Sequence, residues 1–141
     1  MANYVGKGRS NYFKVKDLKK FDDFINEFED LSIIKKVDDA SNQLVGFLIE
    51  SESGAIPSYV FNESLQDFEE VDFLSGLSKH LQEDQVAVIK EVGAEKMRYI
   101  HGCSTAVNAR GETLFIDLGD IYEHASDRWG VDVDEIEDCS Y

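Results

Sequence analysis

The chain has 141 residues, 43% of them apolar, enough for one domain with a real hydrophobic core and too few for two comfortable ones. Its formal net charge is -15, from 29 carboxylates against 14 lysines and arginines, so its field repels nucleic acid and anionic membranes and attracts basic surfaces. The apolar residues are too many and too regularly spaced for disorder, and no apolar run approaches the ~18 residues of a membrane span. No charged region followed by an apolar one marks the start for secretion, so a cytoplasmic protein is expected, with Cys103 and Cys139 kept reduced.

Residues 1–10, with Gly6-Lys7-Gly8, read as a flexible basic arm leading into a strand over residues 11–16, where Tyr12, Phe13 and Val15 stand among polar residues. Asp17 then caps a helix in which Leu18, Phe21, Phe24, Ile25 and Phe28 recur at three- and four-residue steps. Its opposite face carries Asp22, Asp23, Asn26, Glu27, Glu29 and Asp30. Two β-type runs, 32–37 and 43–50, flank Asp38-Asp39-Ala40-Ser41-Asn42, a composition suited to a hairpin loop. A short run at 59–61 follows Pro57, and Phe68, Val71, Phe73, Leu74, Leu77 and Leu81 predict a helix around 72–82. Strands are expected at 85–92 and 97–107, the second returning through Asn108-Ala109-Arg110-Gly111 into 113–117. A last helix has Leu118, Ile121, Tyr122, Ala125 and Trp129 on its inner side, stops at Gly130 and leads into an acidic tail, residues 131–141. Strands in hairpins rather than in βαβ alternation define a single α+β domain: an antiparallel sheet with about three helices packed on it.

Catalytic patterns are weak. Gly6-Lys7-Gly8-Arg9-Ser10 has the composition of a phosphate loop, but such a loop follows a strand and opens a helix, and here a strand is expected to follow. His101 and Cys103 share a strand face, yet same-face neighbours sit ~7 Å apart, too far for a Cys-His hydrogen bond. His80 and His124 lack the spacing of two metal ligands on one helix. Asp132-Val133-Asp134-Glu135 opens like a calcium loop without its later Gly and Glu, and nothing in the sequence brings Glu91, Glu95 and Glu112 together. No cofactor or metal is expected.

The arrangement of acid is more informative. Residues 37–78 hold nine carboxylates and no Lys or Arg. Asp22, Asp23, Glu27 and Asp30 follow one helix face, whose turns rise ~5.4 Å. Asp38 and Asp39 sit in the hairpin loop, and Asp67, Glu69, Glu70 and Asp72 form a further cluster. These ten carboxylates are the expected partner-binding residues, with the tail cluster Asp132, Asp134, Glu135, Glu137 and Asp138 extending the track. Lys7, Arg9, Lys14, Lys16, Lys19 and Lys20, opposed only by Asp17, form a basic head expected to be self-neutralising or a pairing surface.

Asn3-Tyr4-Val5-Gly6 with the run from Arg9 to Asp17, and the later stretch from Glu91-Val92-Gly93-Ala94-Glu95-Lys96-Met97 through Ala106-Val107-Asn108 to Asp120-Ile121-Tyr122, resemble small acidic proteins of phages and mobile elements. That resemblance covers both ends and leaves residues 37–81 largely unmatched. It implies an anti-defence setting, as with anti-CRISPR and anti-restriction proteins. The expected function is therefore non-enzymatic inhibition of a bacterial defence nuclease in the host cytoplasm, a CRISPR effector ahead of a restriction enzyme. The acidic surface would occupy a basic nucleic-acid groove, gaining affinity from counterion release. The alternative is a small regulatory or scaffold module that acts through homodimer or protein-partner contacts.

Overall fold

Strand structure begins earlier than the alternation at residues 11–16 predicts. The computed structural model describes residues 4–97 and 99–139, and in it Val5–Ser10 is strand β1, while residues 1–3 of the expected arm lie outside the described set. The glycines account for the difference. A Cβ on Gly6 would collide with the Ser53 carbonyl, and one on Gly8 with that of Gly54, so these positions seat the turn that follows a neighbouring strand. Gly6 N–H also donates to Glu52 O at 2.7 Å. A segment hydrogen-bonded on both sides is a sheet strand, not a flexible arm. Within 11–16, Phe13 and Val15 are buried and make single bridges to Val45 and Leu81, while the backbone between them forms no continuous ladder.

Helix α1 spans Leu18–Asn26, with the Asp17 carboxylate accepting the Lys20 N–H at 3.0 Å as its N-cap. Strands β2 (Leu31–Val37) and β3 (Gln43–Ile49) form the expected hairpin. Strands β4 (Tyr59–Asn62) and β5 (Asp67–Glu70) form a separate two-stranded sheet, so the acidic segment before the second helix is itself a strand. Helix α2 (Phe73–Ser78) is capped by Asp72 and is shorter than its apolar series predicts, because Leu81 enters the core through its bridge to Val15. Strands β6 (Val86–Glu95), β7 (Tyr99–Asn108) and β8 (Thr113–Asp117) form a meander, followed by α3 (Asp120–Trp129), Gly130 in the left-handed conformation and a short 3-10 turn at Val133–Glu135.

The main sheet has the order β2-β3-β1-β6-β7-β8, all antiparallel, and the fold is α+β as expected. Helices α1 and α2 cover one face, where Phe21, Ile25 and Leu77 meet Val45, Phe47 and Ile89 in the core. Phe24 stacks on Phe73 at 5.4 Å between ring centroids, and Phe28 and Phe47 meet Phe73 edge-on. Leu18, expected inside, is exposed. The opposite face is largely open to solvent: Val5, Lys7, Arg9, Lys90, Val92, Ile100, Leu114 and Ile116 all project from it exposed.

The last helix departs furthest from expectation. None of its residues is buried, and the stripe predicted to face inward leaves Leu118 58%, Ile121 62% and Trp129 75% exposed. Leu118 lies over Gly102 of β7, where a Cβ would meet its side chain at 3.1 Å, but the helix beyond it finds no core. No helix among the described residues is long and apolar enough to cross a membrane.

Candidate partner-binding surfaces

On α1 the acidic face is partly neutralised from within. Asp22 is half-buried and its Oδ2 accepts from Lys35 Nζ of β2 at 3.0 Å, while its Oδ1 is buried with no hydrogen-bond partner. Asp23 pairs with Lys19 one turn earlier at 3.4 Å, an exposed contact of little energetic weight. Glu27 caps the helix C-terminus and Asp30 lies in the turn to β2, both exposed. Of the four carboxylates expected to form one track, two already face cations of this chain.

Asp38 is likewise engaged locally. Its carboxylate accepts from the backbone N–H of Ala40 and Asn42 and from the Asn42 side-chain amide, closing the β2–β3 loop around Ser41 at φ 65°. The Asn42 backbone hydrogen bond is the main reason its carboxyl is held below its ordinary value. Asp39 remains exposed beside it.

The third group is different. Asp67, Glu69 and Glu70 lie on β5, Glu63 in the β4–β5 turn and Asp72 at the start of α2, and all five are exposed. Asn62 steadies Glu69 with a hydrogen bond of 2.8 Å, and Asp72 serves as an N-cap, but no cation pairs with any of the five among the described residues. Register places Phe61 opposite Phe68 and Tyr59 opposite Glu70 on one face of the hairpin. The two phenylalanine rings meet edge-on at 5.4 Å between centroids, yet Tyr59 is 60%, Leu65 68% and Phe68 66% exposed. Val60, on the other face, packs against the core and fixes the hairpin's base. Asp67, Glu69, Glu70 and Asp72 are the expected residues, whereas Glu63 and the exposed rings of the hairpin are not foreseen by the sequence. The period-two pattern of residues 59–62 and 67–70 was the available signal.

Of the basic head, Lys19 is paired with Asp23, while Lys7 and Arg9 are gathered with two cations from elsewhere in the chain. Lys7 and Arg9 of β1, Lys36 of β2 and Lys90 of β6 all project from the open face of the main sheet, Arg9 directly opposite Lys90. Tyr12 joins them: the Arg9 guanidinium lies 5.8 Å and the Lys36 ammonium 4.5 Å from its ring centroid. A hollow of about 650 Å³ opens among Lys7, Arg9, Leu48, Lys90 and Val92. The described strands place no carboxylate on this face, and none of the ion pairs among the described residues involves these four cations.

Cys103, Glu91 and Glu112 make local contacts that do not form a dyad. Cys103 Sγ donates to Glu91 Oε2 at 3.0 Å across the β6–β7 pair, and His101 on the same strand face is exposed. Burial first, then the Glu91 hydrogen bond, pushes the Cys103 thiol up to about 12, away from the thiolate a nucleophile needs. Glu91 also accepts the Ile56 N–H at 2.6 Å, tying the segment before β4 to the sheet. Glu112 binds Asn108 and Arg110 within the β7–β8 turn. Asp132 accepts from Asp134 N–H, and Tyr122 OH donates to Asp138, so the tail carboxylates help fold the tail. His80 packs against Phe24 at 4.8 Å, and burial lowers its pKa.

These features define an α+β protein whose solvent-facing side chains form three chemically distinct surfaces: an acidic aromatic hairpin, a basic sheet face and an apolar end at β8 and α3. No protein-family model, curated protein or solved structure matches the chain.

Proposed function

We propose that this protein is a non-enzymatic inhibitor that binds the basic nucleic-acid groove of a bacterial defence nuclease, a CRISPR effector ahead of a restriction enzyme, through the β4–β5 hairpin. The observation that carries this reading is the hairpin itself, where five exposed carboxylates have no cation partner among the described residues and Glu70 shares a face with the exposed rings of Tyr59, Phe61 and Phe68. A groove built for nucleic acid offers arginines and lysines for phosphate and flat surfaces for bases. The hairpin offers a counterpart to both, with Tyr59, Phe61, Phe68 and Glu70 on one face and Asp67 and Glu69 on the other. Residues Asp22 and Asp23 of α1 are less suited, since breaking their pairs with Lys35 and Lys19 would offset part of any new contact.

Phage plating on hosts carrying single CRISPR or restriction systems, with and without this protein, tests the reading. Wild type should raise plating efficiency by orders of magnitude on at least one host. The triple change Asp67→Lys, Glu69→Lys and Glu70→Lys should abolish that effect with an unchanged circular dichroism spectrum, whereas Asp22→Asn with Asp23→Asn should retain it. Inhibition that survives the triple change rejects the hairpin as the binding face, and failure of wild type on every host rejects the anti-defence function.

A further inference from the structure

We infer that the free edge of β8 and the uncovered stripe of α3 form a docking surface for a second copy of this chain, the two protomers joining their β8 strands antiparallel about a twofold axis through Phe115. The two edges of the main sheet are unequal. Strand β2 ends it on one side with Lys35 and Lys36, the charged residues that keep an edge from pairing with another chain. Strand β8 ends it on the other as Thr113-Leu114-Phe115-Ile116-Asp117, with Leu114 76%, Phe115 59% and Ile116 62% exposed and no lysine or proline to guard it; only its last edge donor, the Asp117 N–H, is already held, by Asp120 Oδ2 at 2.8 Å. Immediately after it comes α3, a ten-residue helix with no buried residue. Helices shorter than ~12–15 residues are marginal in water without tertiary cover, so the ordered helix calls for a surface to pack on.

The exposed apolar side chains fit this role. Leu114, Phe115, Ile116, Leu118, Ile121 and Trp129 are each more than half exposed. Leu114 and Ile116 stand on the open face of the sheet and Phe115 on the other, so pairing through the edge would cover apolar side chains on both faces of β8. A second copy is favoured over an unrelated chain because β8 is self-complementary. Antiparallel pairing centred on Phe115 sets Leu114 against the partner's Ile116 on one face, Phe115 against its own counterpart on the other, and Thr113 against the partner's Asp117. No like charges stand opposite one another within the strand, which matters for a chain of net charge -15 meeting itself. The surface is separate from the β4–β5 hairpin, so the two readings stand or fall independently.

Sedimentation equilibrium of the full chain from micromolar to submillimolar concentration tests the dimer. The expected result is a mass of twice 16.0 kDa at the upper end, and Leu114→Lys with Ile116→Lys should weaken association at least ~100-fold while circular dichroism stays unchanged. Phe115→Cys in a Cys103→Ser, Cys139→Ser background supplies a second measurement: mild oxidation should yield a covalent dimer, because the two residues at position 115 face each other across the axis. A wild-type monomer throughout the range overturns the proposal. A dimer untouched by the β8 substitutions, or one that does not crosslink at position 115, places the interface elsewhere and overturns it equally. Loss of dimer in the β8 variant together with retained nuclease inhibition separates this surface from the hairpin.

Discussion

His80 shows how one side chain links packing to pH. Its ring sits 4.8 Å from Phe24 and 6.3 Å from Phe21, where burial disfavours the imidazolium and lowers its pKa from the ordinary 6.5, partly opposed by Glu27 and Asp17 and reinforced by Lys16 and Lys20. Below 6.5 the unfolded chain therefore takes up the proton before the folded one does. The stabilisation from neutral His80 is complete above pH 6.5 and is lost as pH falls through the lower folded value. Urea midpoints measured from pH 7.5 to 5.5 should fall for wild type and fall less for His80→Leu, which keeps the apolar contacts and cannot titrate. Equal slopes for the two proteins would show that another group carries the pH dependence. The sequence places His80 on the second helix, whereas α2 ends at Ser78 and His80 follows it against two phenylalanines of α1, a contact not written in the spacing of either segment.

At the scale of elements, what could be read in advance was whatever local physics decides. Asp17 and Asp72 cap their helices, the Asp38 loop closes β2 onto β3, and Asn108 turns β7 into β8, each through side-chain hydrogen bonds made within a few residues. Elements that depend on distant partners were misread. Gly6 and Gly8 read as flexible because their function is to admit the backbone of Ser53 and Gly54, and the stripe on α3 read as inward-facing because periodicity does not say what covers it. Strand β5 was hidden by its charge. That strand pairs only with β4, and a two-stranded unit of four-residue strands is marginal unless something holds it. Val60 and Val71 are its apolar anchors to the core, and Val71 N–H donates to Ser58 O at its base. Amide hydrogen exchange should accordingly be at least ~100-fold faster in β4 and β5 than in the central strands β1 and β6, since local opening of the hairpin leaves the six-stranded sheet intact. Equal protection would mean that the hairpin opens only with the whole domain.

For the whole molecule, the sequence disclosed the amount of charge and not its geometry. Lys35 reaches Asp22 from thirteen residues away, and Lys7, Arg9, Lys36 and Lys90 come from three strands to one face. Spacing along one helix cannot reveal such pairings, so neither the engagement of Asp22 on α1 nor the shared basic face is legible in it. The result is an uneven field with most of the carboxylates still facing solvent. Of the three ion pairs among the described residues, Lys19–Asp23 and Arg110–Glu112 are highly exposed, where such pairs are worth little. Repulsion among the remaining carboxylates then outweighs attraction, and screening should favour the folded state. Raising NaCl from low millimolar to 0.5 M shortens the Debye length from tens of ångströms to about 4 Å. The melting temperature of monomer at low protein concentration should rise by about 3–5 °C, equivalent to roughly 1 kcal/mol. An equal rise on adding a neutral osmolyte of matched osmolality would assign the effect to surface exclusion. A fall would mean that the Tyr12-centred basic face attracts its acidic surroundings strongly enough to outweigh the repulsion of a chain carrying -15.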